Sequence, residues 1–213
     1  MLCSLCNGIE GNYKPTANWA TLELNITALT SSHLATAPTP TNYSMIAVEA
    51  GYAIFYQTPA DKLAVSITQL DSPDRPAGFH QPWPTTLPDI TLPKRAPIAA
   101  FSIARPGDTL QRVDTTVLYL DADANINVLS SPEALMAGWT MAKPEALRGA
   151  DKDTDIACLN MATSEYNAAE VPVALEAASE DTRCYFQREG SVVEVWLDVE
   201  RGEWVVMGSV PIP

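Results

Sequence analysis

Between Thr182 and Gly208 apolar and polar positions alternate in two runs joined by a tight turn, and a third run follows. The first run is Arg183, Cys184, Tyr185, Phe186, Gln187, and the turn is Arg188, Glu189, Gly190, Ser191. The second run goes from Val192 to Asp198; after Gly202 the third holds Glu203, Trp204, Val205, Val206, Met207 and Gly208. Branched and aromatic side chains at this density, bounded by Gly and charged residues, fit a pleated, half-buried surface, which predicts a β-meander. Cys184 and Phe186 point to one face and Tyr185 to the other, while Val193, Val195 and Leu197 oppose Val192 and Trp196. A sheet apolar on both faces has to be covered on both.

The same pattern recurs upstream. Ala53-Ile54-Phe55-Tyr56-Gln57 and Thr116-Val117-Leu118-Tyr119-Leu120 match the run Arg183–Gln187, and each precedes a polar turn and another apolar run, Leu63–Thr68 and Ile126–Ser130. Before them come Met45–Val48, Ile98–Phe101 and Ile156–Leu159, and Trp19, Trp83, Trp139 and Trp204 recur at similar places. The unit is four strands over about 60 residues, in three complete copies, and self-similarity at a fixed spacing is the signature of a repeat architecture. Stacked four-stranded antiparallel blades of a β-propeller satisfy both the repeat and the two-faced sheets; a β-sandwich accepts as many strands without requiring a repeat.

The expected fold is all-β, one propeller-like domain over 1–213, with a half blade at 1–30 and blades at 31–92, 93–148 and 149–213. Met1–Cys6 and Trp19–Leu24 align with the third and fourth strands of a repeat. About three and a half blades leave open faces and edges, so an open arc, or a homo-oligomer that closes it, is expected. Pro38–Asn42, Ser72–Pro84, Pro93–Pro97, Arg105–Asp108 and Thr163–Asp181 read as loops from their Pro, Asp, Ser and Thr content, with a short helix in Glu165–Ala178.

Composition narrows the function classes. The 26 acidic against 13 basic side chains give a formal charge of −13 with no basic stripe, which opposes nucleic acid and anionic membrane as partners. No apolar run is long enough to span a bilayer as a helix. The start lacks the basic segment and long apolar core of a signal peptide, so a reducing, cytoplasmic location is expected, with secretion open if the N-terminus is truncated. Cys3 and Cys6 form a lone C-x-x-C, and Cys158 and Cys184 lie far from it; core or strand cysteines are the expectation. Asn25-Ile26-Thr27 and Asn42-Tyr43-Ser44 fit the glycosylation pattern, which carries weight only in a secreted chain.

No catalytic motif is present. His33 and His80 are the two histidines, and neither G-x-S-x-G, H-E-x-x-H nor a phosphate-cradling Gly loop occurs. Asp121-Ala-Asp123-Ala-Asn125 begins like a calcium loop, but Ile126 stands where Gly is needed and Pro132 where a bidentate Glu belongs, so it reads as a hairpin turn. Asp151-Lys-Asp153-Thr-Asp155 reads as a solvated loop. The chain is not expected to be an enzyme, nor to hold a metal or cofactor.

The repeats resemble the blades of the fungal fucose-specific lectin family, of which the Aleuria lectin is the type. Its blades run small-apolar strand, Arg-x-Tyr-Tyr-Gln or similar, Gly turn, a strand carrying Glu, then Gly-x-Trp and a closing Gly. Arg183-Cys-Tyr-Phe-Gln187, Gly190, Glu194, Gly202-Glu-Trp204 and Gly208 stand in that order. The resemblance implies that Arg183 and Glu194 hydrogen-bond a sugar while aromatics, several from an adjacent blade, pack on its apolar face. Tyr185, Trp196 and Trp204 are the aromatics of the same repeat.

Arg supplies forked donors, Glu accepts from hydroxyls, and an aromatic ring covers the C–H face of a neutral sugar. Arg183 and Glu194 also suit a simple cross-strand ion pair, and the repeated Trp residues suit packing anchors. The same offset gives Ala53 with Ala64 and Thr116 with Asn127, so the charged pair occurs once among the complete repeats. The resulting expectation is an L-fucose-type lectin-like module with fucosylated glycans or related sugars as partners and with binding retained, weakened or lost; the alternative is a degenerate propeller serving as a protein-interaction scaffold.

Overall fold

The computed structural model describes residues 26–43, 46–69, 80–81, 87–104, 113–131, 138–160, 182–199 and 201–212. These form three four-stranded antiparallel sheets. The first contains β1 (Ala35–Tyr43), β2 (Ile46–Gln57), β3 (Leu63–Gln69) and β4 (His80–Gln81). The second contains β5 (Ile98–Ala104), β6 (Val113–Leu120), β7 (Ile126–Ser131) and β8 (Thr140–Ala142), and the third β9 (Ala157–Asn160), β10 (Thr182–Arg188), β11 (Ser191–Asp198) and β12 (Glu203–Pro211). Within each sheet the strands lie in chain order, and β5 neighbours both β1 and β9. These are consecutive propeller blades with their first strands innermost.

Two apolar clusters hold the blades together. One joins Ala35, Ala37, Phe55, Leu63 and Val65 of the first blade to Ile98, Val117, Tyr119 and Leu129 of the second. The other joins Phe101, Leu118, Leu120, Ile126 and Val128, on the second blade's opposite face, to Cys184, Phe186, Val193 and Val195 of the third. Period-two alternation therefore sends odd and even positions of one strand into different clusters, and the second blade is covered on both faces as its sequence requires.

Trp139 meets Phe55 edge-on with ring centroids 6.3 Å apart, and Trp204 meets Phe101 at 6.3 Å. Both indoles anchor their blade on the preceding one. The remaining two of the four recurring Trp residues, Trp19 and Trp83, lie outside the described residues, as do Met1–Cys6, Trp19–Leu24, Arg105–Asp108, Thr163–Asp181, the segment expected to be a helix, and all but His80–Gln81 of Ser72–Pro84.

Two boundaries differ from the expectation. Met45–Val48 is not the first strand of its repeat: from Ile46 onward it is the start of the long β2, which pairs with β1. The register explains why. Ala35, Ala99 and Ala157 stand opposite the equivalent residues Phe55, Leu118 and Tyr185, so Ala35–Ala37 fills the innermost slot. Pro38–Asn42 is accordingly strand and not loop. β1 is the terminal strand of its sheet and its ladder shifts between Thr39 and Thr41; an edge with an irregularity tolerates Pro38 and Pro40, which have no N–H to donate.

A polar clamp ahead of the first strand repeats as well. The Ser32 hydroxyl accepts from the Gln57 amide at 2.8 Å, and Leu29 N–H donates to Gln57 O at 2.7 Å. In the third blade the Thr154 hydroxyl accepts from the Gln187 amide at 2.7 Å, and Asp151 N–H donates to Gln187 O at 2.8 Å. Ala96 takes this place in the second blade and has no hydroxyl to offer.

Candidate functional site

The β10–β11 hairpin builds the site. Arg188 pairs with Ser191 across a two-residue turn in which Glu189 has φ 52° and Gly190 φ 70°. Left-handed conformations at both central positions match the right-handed twist of the strands, and Gly takes the second without steric cost. The Asp151 carboxylate fixes the same turn, accepting from Glu189 N–H at 2.9 Å and Gly190 N–H at 3.3 Å.

This register puts Tyr185 opposite Glu194 and Arg183 opposite Trp196, so four of the five expected site residues share one face. Arg183 Nη1 lies 2.6 Å from Glu194 Oε1, with side chains 38% and 29% exposed, and the Tyr185 hydroxyl donates to the same oxygen at 3.1 Å. Both of these bonds go to Oε1 of Glu194. The hydrogen bond from Arg183 outweighs burial, and with the Tyr185 bond it holds the Glu194 carboxyl below its ordinary range. Burial, and then donation to Glu194, push the Tyr185 phenol up, so it remains a donor. The arrangement is a fixed carboxylate and guanidinium between two aromatic side chains, partly open to solvent.

Trp204, the fifth residue, is not brought to this face: it stands opposite Leu197 and packs against Phe101 on the other side of the sheet. Leu159 and Val205 take the flanking places. Leu159 pairs in register with Arg183 and Val205 with Trp196, and they are 62% and 38% exposed. Their signal in the sequence is parity alone, legible only once the pairing of β9 and β12 is known.

The comparison with the other blades is corrected by one residue. Gln57 pairs with Leu63 and Leu120 with Ile126, whereas Gln187 pairs with Val192. The turns of the first two blades are one residue longer, so an offset counted along the chain slips by one. Val65 and Val128, not Ala64 and Asn127, occupy the place of Glu194, because they face Phe55 and Leu118 as Glu194 faces Tyr185. A one-residue slip moves a side chain to the other face. The corrected positions are apolar and buried under the next blade.

Cys158 and Cys184 are strand cysteines, but they are not separate core thiols: they face each other across β9 and β10 and form a disulfide, with Cα atoms 4.1 Å apart. The C-x-x-C pair lies outside the described residues.

The acidic loops are structural. Asp121 accepts from Asp123 and Asn125 N–H at 2.9 Å each and from Asn127 and Lys143 at 2.9 and 3.2 Å. Burial works to raise its carboxyl; these donors outweigh it and lower it. Among the described residues no group of three or more His, Cys, Asp and Glu side chains is placed to hold a metal ion.

Comparison with solved structures identifies the fold. The chain is similar to the fucose-specific lectin of Aleuria aurantia, described as a six-bladed β-propeller with a novel fucose recognition mode, at TM-score 0.59 and 15% identity, covering 86% of this chain and 50% of that one. It is similar to AofleA from Arthrobotrys oligospora, at TM-score 0.56 and 16% identity over 91% and 46% of the two chains. It is also similar to the SapL1 lectin in complex with alpha methyl fucoside, at TM-score 0.53 and 14% identity over 87% and 52%. The fold is therefore that of the Aleuria-type lectin propellers, and the chain spans about half the length of the solved lectins it matches. No protein-family model matches the chain, and no curated protein matches it in sequence.

Proposed function

We propose that this chain is a carbohydrate-binding, lectin-like module that reads a neutral deoxy sugar of the fucose class, as found on fucosylated glycans, at the Arg183–Glu194 face of its third blade. The observation that carries the reading is the shared Oε1. Arg183 and Tyr185 both hold that oxygen of Glu194, so the second oxygen is fixed in place for a sugar hydroxyl. Charge-assisted hydrogen bonds of this kind are about twice as strong as neutral ones, and Trp196 and Tyr185 offer rings to the C–H face of a pyranose. The likeness to fucose-binding lectins supports the sugar class. The reading involves no catalytic group.

Calorimetric titration with methyl α-fucoside tests it: the native chain gives saturable heat and Arg183→Ala does not. Absence of heat from the native chain at millimolar sugar overturns it. The second reading, a protein-interaction surface, is favoured by Leu159, Val205 and Val210, which leave an exposed apolar fringe on the same face. A sheet from a second copy packed there would complete the propeller, and a doubled mass by light scattering distinguishes that arrangement from a monomeric sugar binder.

A further inference from the structure

We infer that the Cys158–Cys184 disulfide is a redox-sensitive positioning device for the Arg183–Glu194 face, so that ligand binding requires the oxidised chain. This rests on the sugar-binding reading above.

Cys184 lies between Arg183 and Tyr185 in β10 and points the opposite way, wholly buried among Phe186, Val193 and Val195. Cys158 lies in β9 between Ala157 and Leu159, the residues that pair with Tyr185 and Arg183. The bond thus pins β10 at the residue between its two site residues, and it pins β9 at the residue beside Leu159. β9 needs the pin. It is four residues long, ends its sheet, and presents Ala157 and Leu159 to solvent, so it has little buried apolar surface of its own. Segments with few buried contacts are the ones that open locally. The covalent link joins residues 26 apart in sequence, and closing such a loop restricts the open state.

The bond is also reachable. Cys158 is only partly buried while Cys184 is fully buried. A thiolate of an external dithiol attacks Cys158 Sγ, the S–S bond breaks, and Cys184 leaves with the electron pair and takes a proton. The second thiol of the dithiol then displaces Cys158, yielding two cysteine thiols and the oxidised dithiol. With the link gone, β9 frays from β10, Leu159 leaves Arg183, and the strand carrying Arg183 and Tyr185 loses its inner neighbour. An oxidising compartment keeps the bond closed and a reducing cytosol opens it, so the device would tie binding to location.

The test uses the full chain, with Cys3→Ser/Cys6→Ser as a control whose only thiols are those at issue. Alkylation and peptide mass mapping without reductant should leave Cys158 and Cys184 unmodified; alkylation of both in the unreduced protein overturns the inference. After treatment with a dithiol, methyl α-fucoside affinity should fall at least fivefold at a temperature where far-ultraviolet circular dichroism stays native, and reoxidation should restore it. Unchanged affinity with both thiols proven reduced overturns the inference. Cys158→Ala should bind like the reduced protein and ignore the dithiol; native-like affinity in this variant overturns it. If neither redox form binds the sugar, the sugar reading has failed, and hydrogen exchange decides the positioning claim separately. Loss of protection at 157–160 and 182–186 on reduction, with 191–198 unchanged, supports it; equal protection in both forms sinks it.

Discussion

Tyr185 and Glu194 stand directly opposite one another in β10 and β11, and the Tyr185 hydroxyl donates at 3.1 Å to the oxygen that Arg183 holds at 2.6 Å. The equivalent pairs are Phe55 with Val65 and Leu118 with Val128, both buried against the following blade. One lattice of positions therefore serves packing twice and holds a hydrogen-bonded polar group once.

If the Tyr185 hydroxyl fixes Glu194, Tyr185→Phe keeps the ring and loses the bond. The net loss for one such bond is about 1 kcal/mol, or about fivefold in affinity. Calorimetry with methyl α-fucoside reads the change, and far-ultraviolet circular dichroism should not move.

Single and double replacement separate the ion pair from the site. Arg183→Ala/Glu194→Val gives the third blade the residues that the first carries at these places, Ala53 and Val65, so the variant should fold with its stability within about 1 kcal/mol of native, as befits a partly exposed pair, while sugar binding is abolished. Urea unfolding of the two single variants and the double variant gives the coupling energy; a coupling well above that range would mean the pair is chiefly structural.

Acid should weaken binding before neutral or alkaline conditions do. Glu194 is held below its ordinary value of 4.5, chiefly by the bond from Arg183, so the charged form persists through mildly acidic pH. Its contribution to stability is fully present above 4.5 and is lost as pH falls through the lowered folded value. Affinity should follow the same course: flat from neutral pH down to that range, then falling. A binding curve that declines already near neutral pH would point to another group.

Trp204 and the face carrying Arg183 should respond independently. Trp204→Ala removes an indole packed against Phe101, and large-to-small changes at packed aromatic sites cost about 3 kcal/mol when fully buried and less when partly buried. The melting temperature should drop, while sugar affinity measured well below it stays within about twofold, since less than 0.5 kcal/mol is expected between sites with no shared partner.

Thr154→Ala and Ser32→Ala each leave a strand-end amide, Gln187 or Gln57, without its hydroxyl acceptor. Each should cost about 1 kcal/mol in urea unfolding. Ala96→Ser, at the place where the hydroxyl is missing, tests whether the clamp transfers to the second blade.

Much of the architecture was legible in the sequence because alternation is a local signal. The runs around Phe55, Leu118 and Tyr185 carry branched and aromatic residues on both parities, which calls for sheets covered on both faces; the structure covers both faces of the second blade, whereas the Tyr185 face of the third stays partly open. The innermost strand of the first blade was not legible: Ala35–Ala37 is short and weakly apolar, whereas Met45–Val48 looks like a strand and is one, in a different place. Pairing decides between them, and pairing is a property of two segments. The disulfide was hidden for the same reason, since Cys158 and Cys184 become neighbours only when β9 lies against β10.

The sequence by itself determined the strand runs around Phe55, Leu118 and Tyr185, the four-strand repeat, the tight turn at Glu189–Gly190 and the residue types of a polar pair, because each follows from spacing and conformational preference along the chain. The tertiary structure decided which face each side chain occupies. It set Arg183, Tyr185, Glu194 and Trp196 together, sent Trp204 to the other side, and put Val65 and Val128 where chain counting had placed Ala64 and Asn127. The reason is register: one extra turn residue leaves the local pattern of a strand intact and exchanges its two faces, so only the paired sheet fixes what a residue can touch.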